Sequence, residues 1–127
     1  MSAAYLDTHI AVFLHDGKVE LFTKAAKREI EASDLLISPM VLFKLEYLYK
    51  RKKINIPAKQ MYNTIHTDFG VTICRLAFAK IVEEAIGLEW TNDPFDRLIV
   101  GHAKANRESA LITRDREIRK NYTKSVW

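Results

Sequence analysis

The chain contains a single cysteine, Cys74, in 127 residues. It can form no intramolecular disulfide and no cysteine-based metal cluster. This usage suits a reducing compartment, and a cytoplasmic location is expected. An uninterrupted apolar run is also missing. The opening segment, MSAAYLDTHIAVFLHDG, has no basic n-region, and an Asp and a His break its apolar stretch. It is expected to be neither a signal peptide nor a transmembrane segment, and no membrane partner is expected. Repeats, low-complexity tracts and recognisable linkers are absent too, which excludes solenoids and disordered scaffolds.

Hydrophobic residues make up 48% of the chain, enough for one domain spanning 1–127 with a core that needs no staple. The net charge is +4 and the pI about 9.2. Residues 97–127 carry eight Lys or Arg against three acids, a net of +5. Such a balance favours a polyanionic partner and makes any cluster of carboxylates conspicuous.

The most informative stretch runs from Asp93 to Asp115, DPFDRLIVGHAKANRESALITRD. Asp93 can cap a helix with Pro94 in its first turn, and Asp96 then faces the helix N-terminal amides. Ala110-Leu111-Ile112 reads as a short buried strand leaving through Thr113-Arg114-Asp115. Upstream, Ala3–Leu6 reads as a first strand ending at Asp7, followed by a short helix to Gly17. Residues 19–32 carry helical spacing as one unit, and Leu35–Ile37 form a second strand. Ser38 caps a helix running from Pro39 to about Lys53. Pro57 opens another helix, 71–73 form a brief extended piece, and 75–86 are helical. Ile118 and Tyr122 fit a short helix, and 125–127 a last strand or a frayed end. Short strands alternating with helices imply an α/β fold, a central parallel sheet flanked by helices.

Four acids stand at element ends or close to them: Asp7, Glu46, Asp96 and Asp115. Right-handed crossovers bring Asp7, Asp96 and Asp115 to one sheet edge, and Glu46, two turns into its helix, can lean over it. Converged carboxylates repel and lose water, and a divalent cation offsets both costs. Each acid also has a plain alternative. Asp7 and Asp115 can be caps, Glu46 can face solvent or pair with Lys50, and Asp96 can simply stabilise a helix terminus.

The order YLDTH, LEYLY, DPFDRLIVGHA and LITRD resembles the PIN domain nucleases, and most of all the small VapC-like toxins of bacterial and archaeal toxin–antitoxin pairs. The likeness covers essentially the whole chain, with the middle segment SPMVLFKLEYLYKRKK the loosest match. It implies that Asp7, Glu46, Asp96 and Asp115 hold Mg²⁺ or Mn²⁺ and are the catalytic set. Asp93, mainly a helix cap, corresponds to an additional acid with an outer role. Thr113 and Thr8 are expected to orient ligands from a second layer. The implied activity is metal-dependent hydrolysis of RNA phosphodiesters without a covalent intermediate. Implied partners are a cognate VapB-like antitoxin, a second copy in a homodimer, and a larger toxin–antitoxin complex.

Several cations neighbour the acids. Arg97 and Arg114 can pair with carboxylates or hold substrate phosphates, and Lys50 and Arg51, in a basic run at a helix end, can do the latter or face solvent. His9 and His102 are read as local structure, and Ser38 as a cap rather than a nucleophile. Phe13, Leu14, Phe22, Leu45, Leu48 and Tyr49 are mainly core, with any surplus available for docking. The competing functions are another PIN-like DNA or RNA nuclease and a non-catalytic RNA- or protein-binding domain.

Overall fold

The structure is a computed structural model and describes residues 2–127. Five strands, β1 (Ala3–Leu6), β2 (Asp34–Ile37), β3 (Thr72–Ile73), β4 (Ala110–Ile112) and β5 (Ser125–Val126), form one sheet in the order β3-β2-β1-β4-β5. Every pairing is parallel. Seven helices flank the sheet: α1 (Thr8–Asp16), α2 (Lys24–Ala32), α3 (Pro39–Lys50), α4 (Ala58–Phe69), α5 (Phe78–Ile86), α6 (Pro94–Ala105) and α7 (Arg116–Asn121). None of the described helices is long and apolar enough to cross a membrane.

The sheet interior is built from side chains buried on both faces. Tyr5, Leu6, Ile37, Leu111 and Ile112 are fully buried, packed with Ile10, Leu45, Met61, Ile65, Ile99 and Ile118 from the helices. Covering both faces is what lets short strands read as apolar runs rather than alternations. Each such side chain contributes about 1.5–3 kcal/mol by burial.

Strand order puts the functional edge in place. The chain steps from β1 outward through β2 to β3, then returns to the other side of β1 for β4 and β5. The direction of winding therefore reverses between β1 and β4. Open parallel sheets leave a crevice at the carboxyl ends of the strands where this reversal occurs. In register Leu6 pairs with Ile112, so the next residues, Asp7 and Thr113, emerge side by side.

Three element boundaries differ from the sequence expectation. Residues 19–32 do not form one helix: a 3-10 turn covers Val19–Leu21, Phe22 turns inward, and Thr23 caps α2 by accepting from the Ala26 amide at 3.1 Å. The helix after Ser38 ends at Lys50 rather than near Lys53, and Lys52 takes a left-handed φ of 60°. Helix α5 starts at Phe78, not Arg75, because the chain stays extended past β3, with the Cys74 amide donating to Ile37 at 2.9 Å.

Helices α5 and α6 approach closely at Gly101. A Cβ there would lie 3.0 Å from the Ile81 carbonyl oxygen and 3.1 Å from the Ala85 Cβ. Only glycine permits that spacing without a shift of backbone. This contact holds the α6 segment that carries Asp96.

Candidate active site

Asp7 follows the last residue of β1 and caps α1. Its Oδ1 accepts from the Thr8 amide at 2.8 Å, and its Oδ2 accepts from the Thr113 hydroxyl at 2.6 Å. The residue is 4% exposed, yet no Lys, Arg or His nitrogen among the described residues makes an ion pair with it.

Thr113, fully buried, joins two of the acids. While its hydroxyl donates to Asp7, its Oγ1 accepts from the Asp115 amide at 3.0 Å. Asp115 in turn caps α7, its Oδ1 accepting from the Ile118 amide at 3.0 Å. The strand exits of β1 and β4 are thus tied together at the crevice.

Asp96 enters from α6. Its amide donates to the Asp93 carboxylate at 3.1 Å, so Asp93 is the helix cap and Asp96 stands in the first turn. The Asp96 carboxyl is pushed up from 3.8 to about 6. Burial is the main cause; the negative charges of Asp93, Asp7 and Asp115 add to it, while the Lys44 ammonium opposes it. Asp7, Asp93, Asp96 and Asp115 therefore share one electrostatic neighbourhood.

Glu46 is placed differently. Its Oε1 accepts from the Ala58 amide at 3.2 Å, at the start of α4, where Pro57 provides no side-chain cap. It lines an apolar cavity of about 530 Å³ with Pro39, Leu42, Phe43, Pro57, Ala58 and Lys59. It is not among the charges acting on Asp96. Among the described residues, no group of three or more His, Cys, Asp or Glu side chains stands close enough to hold a metal ion.

The donor chemistry nevertheless fits a hard divalent cation. The converging side chains are carboxylates, their repulsion is offset only in part by Lys44, and the neighbouring Thr8 hydroxyl is buried with no partner among the described residues.

The cations find other partners. Arg97 donates from Nε to the Ala85 carbonyl at 3.2 Å and from Nη2 to the Ile86 carbonyl at 2.9 Å. It closes the C-terminus of α5 and makes no carboxylate pair among the described residues. Arg114 is exposed, its guanidinium 5.6 Å from the Phe13 ring centre and 5.9 Å from that of Trp127. Lys50 and Arg51 are exposed, and Arg51 also donates to the Tyr47 hydroxyl at 3.3 Å. His9 is exposed, whereas His102 is buried with its Nδ1 2.9 Å from Ser38 Oγ. Burial pushes the imidazole down to about 4, so it stays neutral. Ser38 caps α3 through the Met40 amide at 3.1 Å.

Sequence reasoning missed Lys44, whose position beside Asp96 only the α3–α6 packing reveals. The apolar residues read as mainly core include three that the structure buries, and the exposed rings are others. Leu14, Phe22 and Leu45 are core, while Phe43, Tyr47, Phe69, Phe78 and Ile86 are exposed. A Phe43–Tyr47 spacing of four residues beside basic neighbours was the available signal.

Comparison with known proteins agrees with this architecture. No curated protein sequence matches the chain. Among solved structures, VapBC2 from Rickettsia felis, bound to a DNA fragment from its promoter, superimposes with a TM-score of 0.67 at 18% identity. That alignment covers 97% of this chain and 95% of the other. A toxin–antitoxin complex from Klebsiella pneumoniae gives a TM-score of 0.62 at 18% identity, covering 98% and 96%. DNA-bound VapBC from Salmonella typhimurium gives 0.60 at 18% identity, with the same coverage. At these identities the likeness is one of fold. The PIN domain profile, in contrast, matches the sequence itself across residues 4–124, and the chain belongs to the PIN domain family.

Proposed function

We propose that the chain is a Mg²⁺- or Mn²⁺-dependent endoribonuclease that acts as a growth-inhibiting toxin and is neutralised by a cognate VapB-like antitoxin. The observation that carries the reading is the link from Asp7 through Thr113 to Asp115 at the crevice, with Asp96 charged against both. Family membership and the fold shared with VapBC structures support it.

Asp7, Asp96 and Asp115 are the residues that would hold the ion. Glu46, the fourth proposed ligand, uses one oxygen for the Ala58 amide and leaves the other for a ligand. A divalent ion held by these residues would supply positive charge for the phosphate and lower the pKa of a water. Thr113 and the Thr8 amide fix the rotamer of Asp7, so its oxygens need no reorganisation. Without an ion the Asp96 carboxyl is pushed up to about 6, and a bound cation would favour its ionised form. Arg114, Lys50 and Arg51, all exposed, are the proposed phosphate contacts. Arg97 acts by holding α5 against the helix that carries Asp96. A homodimer and a larger complex with antitoxin are the proposed assemblies.

The test is expression of wild type and Asp96→Asn in a bacterial host, followed by mapping of RNA ends. Growth arrest with new RNA ends for wild type alone is expected. Equal arrest by both proteins contradicts the reading.

A further inference from the structure

Three aromatic side chains gather on the α3–α6 face beside Asp96. Phe43 and Tyr47, four residues apart on α3, are 64% and 44% exposed, which is unusual for rings of this size. The half-buried Phe95, the residue before Asp96, lies between them. Its ring centre is 6.3 Å from that of Phe43 and 5.5 Å from that of Tyr47, with interplanar angles of 36° and 42°. These tilted contacts join the rings into one patch without stacking them face to face.

Cations are interleaved with the rings. The Lys44 Nζ lies 5.6 Å from the Phe95 ring centre, and the Arg51 guanidinium 5.5 Å from that of Tyr47. Neither cation has a carboxylate partner among the described residues. Lys44 also lies close enough to Asp96 to favour its ionised form. The patch is thus continuous with the acidic crevice through Phe95–Asp96 on one side and Lys44 on the other.

We propose that Phe43, Tyr47 and Phe95 form a stacking platform for unpaired bases of a single-stranded RNA whose backbone passes Lys44 and Arg51 toward Asp96. This rests on the ribonuclease reading and assigns the bases flanking the cleaved bond to a place. Aromatic faces alternating with unpaired cations are the composition of single-strand binding grooves. With no carboxylate partner among the described residues, Lys44 and Arg51 leave positive charge that suits a polyanionic backbone. The stacking energy is sequence-tolerant, so the platform sets reach and strand state rather than base identity.

The test uses binding rather than cleavage. In an Asp96→Asn background, a short single-stranded RNA carrying 2-aminopurine is titrated with the protein, and quenching reports stacking. Binding with quenching is expected. Combining Phe43→Leu with Tyr47→Leu keeps apolar side chains, and it should weaken binding roughly tenfold and abolish the quenching. Tyr47→Phe should retain both signals, and a base-free ribose-phosphate oligomer should bind the parent and the double variant alike. Unchanged affinity and quenching in the double variant overturns the proposal. So does unchanged RNA binding together with a change of mass in sedimentation, which marks a protein contact. Cleavage by the wild-type chain in Mn²⁺ is scored separately. Cleavage without an effect of the platform variants refutes the platform alone, whereas stacking without any cleavage refutes the ribonuclease reading alone.

Discussion

Replacing Asp96 by asparagine should stabilise the metal-free protein. The carboxyl is shifted from 3.8 to about 6 because burial and the charges of Asp93, Asp7 and Asp115 disfavour its ionised form. At about 1.36 kcal/mol per unit, the shift corresponds to roughly 3 kcal/mol of destabilisation once the group is ionised in both states. Asp96 is only half-buried, so solvent screening reduces this to about 1–2 kcal/mol. The folded state binds the proton more tightly, so this cost is absent below the unfolded pKa of 3.8 and grows as pH rises through about 6. The amide of the variant carries no charge and escapes it. His102 works in the opposite direction. Its pKa falls from 6.5 to about 4, so its contribution to stability is lost as pH drops across that window. Both proteins share this term, and only their difference isolates Asp96. Melting in EDTA should therefore show Asp96→Asn higher by about 3–8 °C near pH 7.5, with the gap closing toward pH 4. Mn²⁺ should then raise the wild-type melting temperature more than that of the variant. A variant no more stable than wild type at neutral pH, or a gap that persists at pH 4, refutes the electrostatic argument.

Thr113→Val removes the hydroxyl that donates to Asp7 and accepts from Asp115, leaving a buried carboxylate with one donor fewer. Urea unfolding should show a loss of about 1–3 kcal/mol, and RNA cleavage should fall as well. Gly101→Ala places a Cβ 3.0 Å from the Ile81 carbonyl oxygen. The overpacking outweighs the gain in helix propensity, and a net destabilisation of about 1–2 kcal/mol is expected in the same assay.

Much of the fold was legible because its punctuation is local. Asp7, Ser38, Asp93 and Asp115 each cap the helix expected of them, and strands β1 and β4 fall on the residues anticipated. Helix starts without such signals were missed. At Ala77 no side chain caps α5, and at Thr23 the cap lies inside a stretch whose apolar spacing continues through it. Strand order was not legible, since β1 accepts both β2 and β4 and only tertiary packing chooses the sides. The same limit governs the site. Asp7, Asp96 and Asp115 were named from element ends, and the structure brings them into one electrostatic neighbourhood. The partner of Glu46, the Ala58 amide, depends on the path of the loop after α3. Exposure of Phe43 and Tyr47 follows from how α3 is rolled against α4 and α6, which periodicity alone leaves open.

The central claim is that Asp7, Asp96 and Asp115 act as one ion-binding centre that hydrolyses RNA. Its most direct test is RNA cleavage in Mn²⁺ by purified wild type, Asp7→Asn, Asp96→Asn and Asp115→Asn, each verified as folded by circular dichroism. Wild-type cleavage that EDTA abolishes, with each variant slower by roughly a hundredfold or more, is the expected result. Folded Asp7→Asn and Asp96→Asn proteins that cleave RNA as fast as wild type would contradict the account.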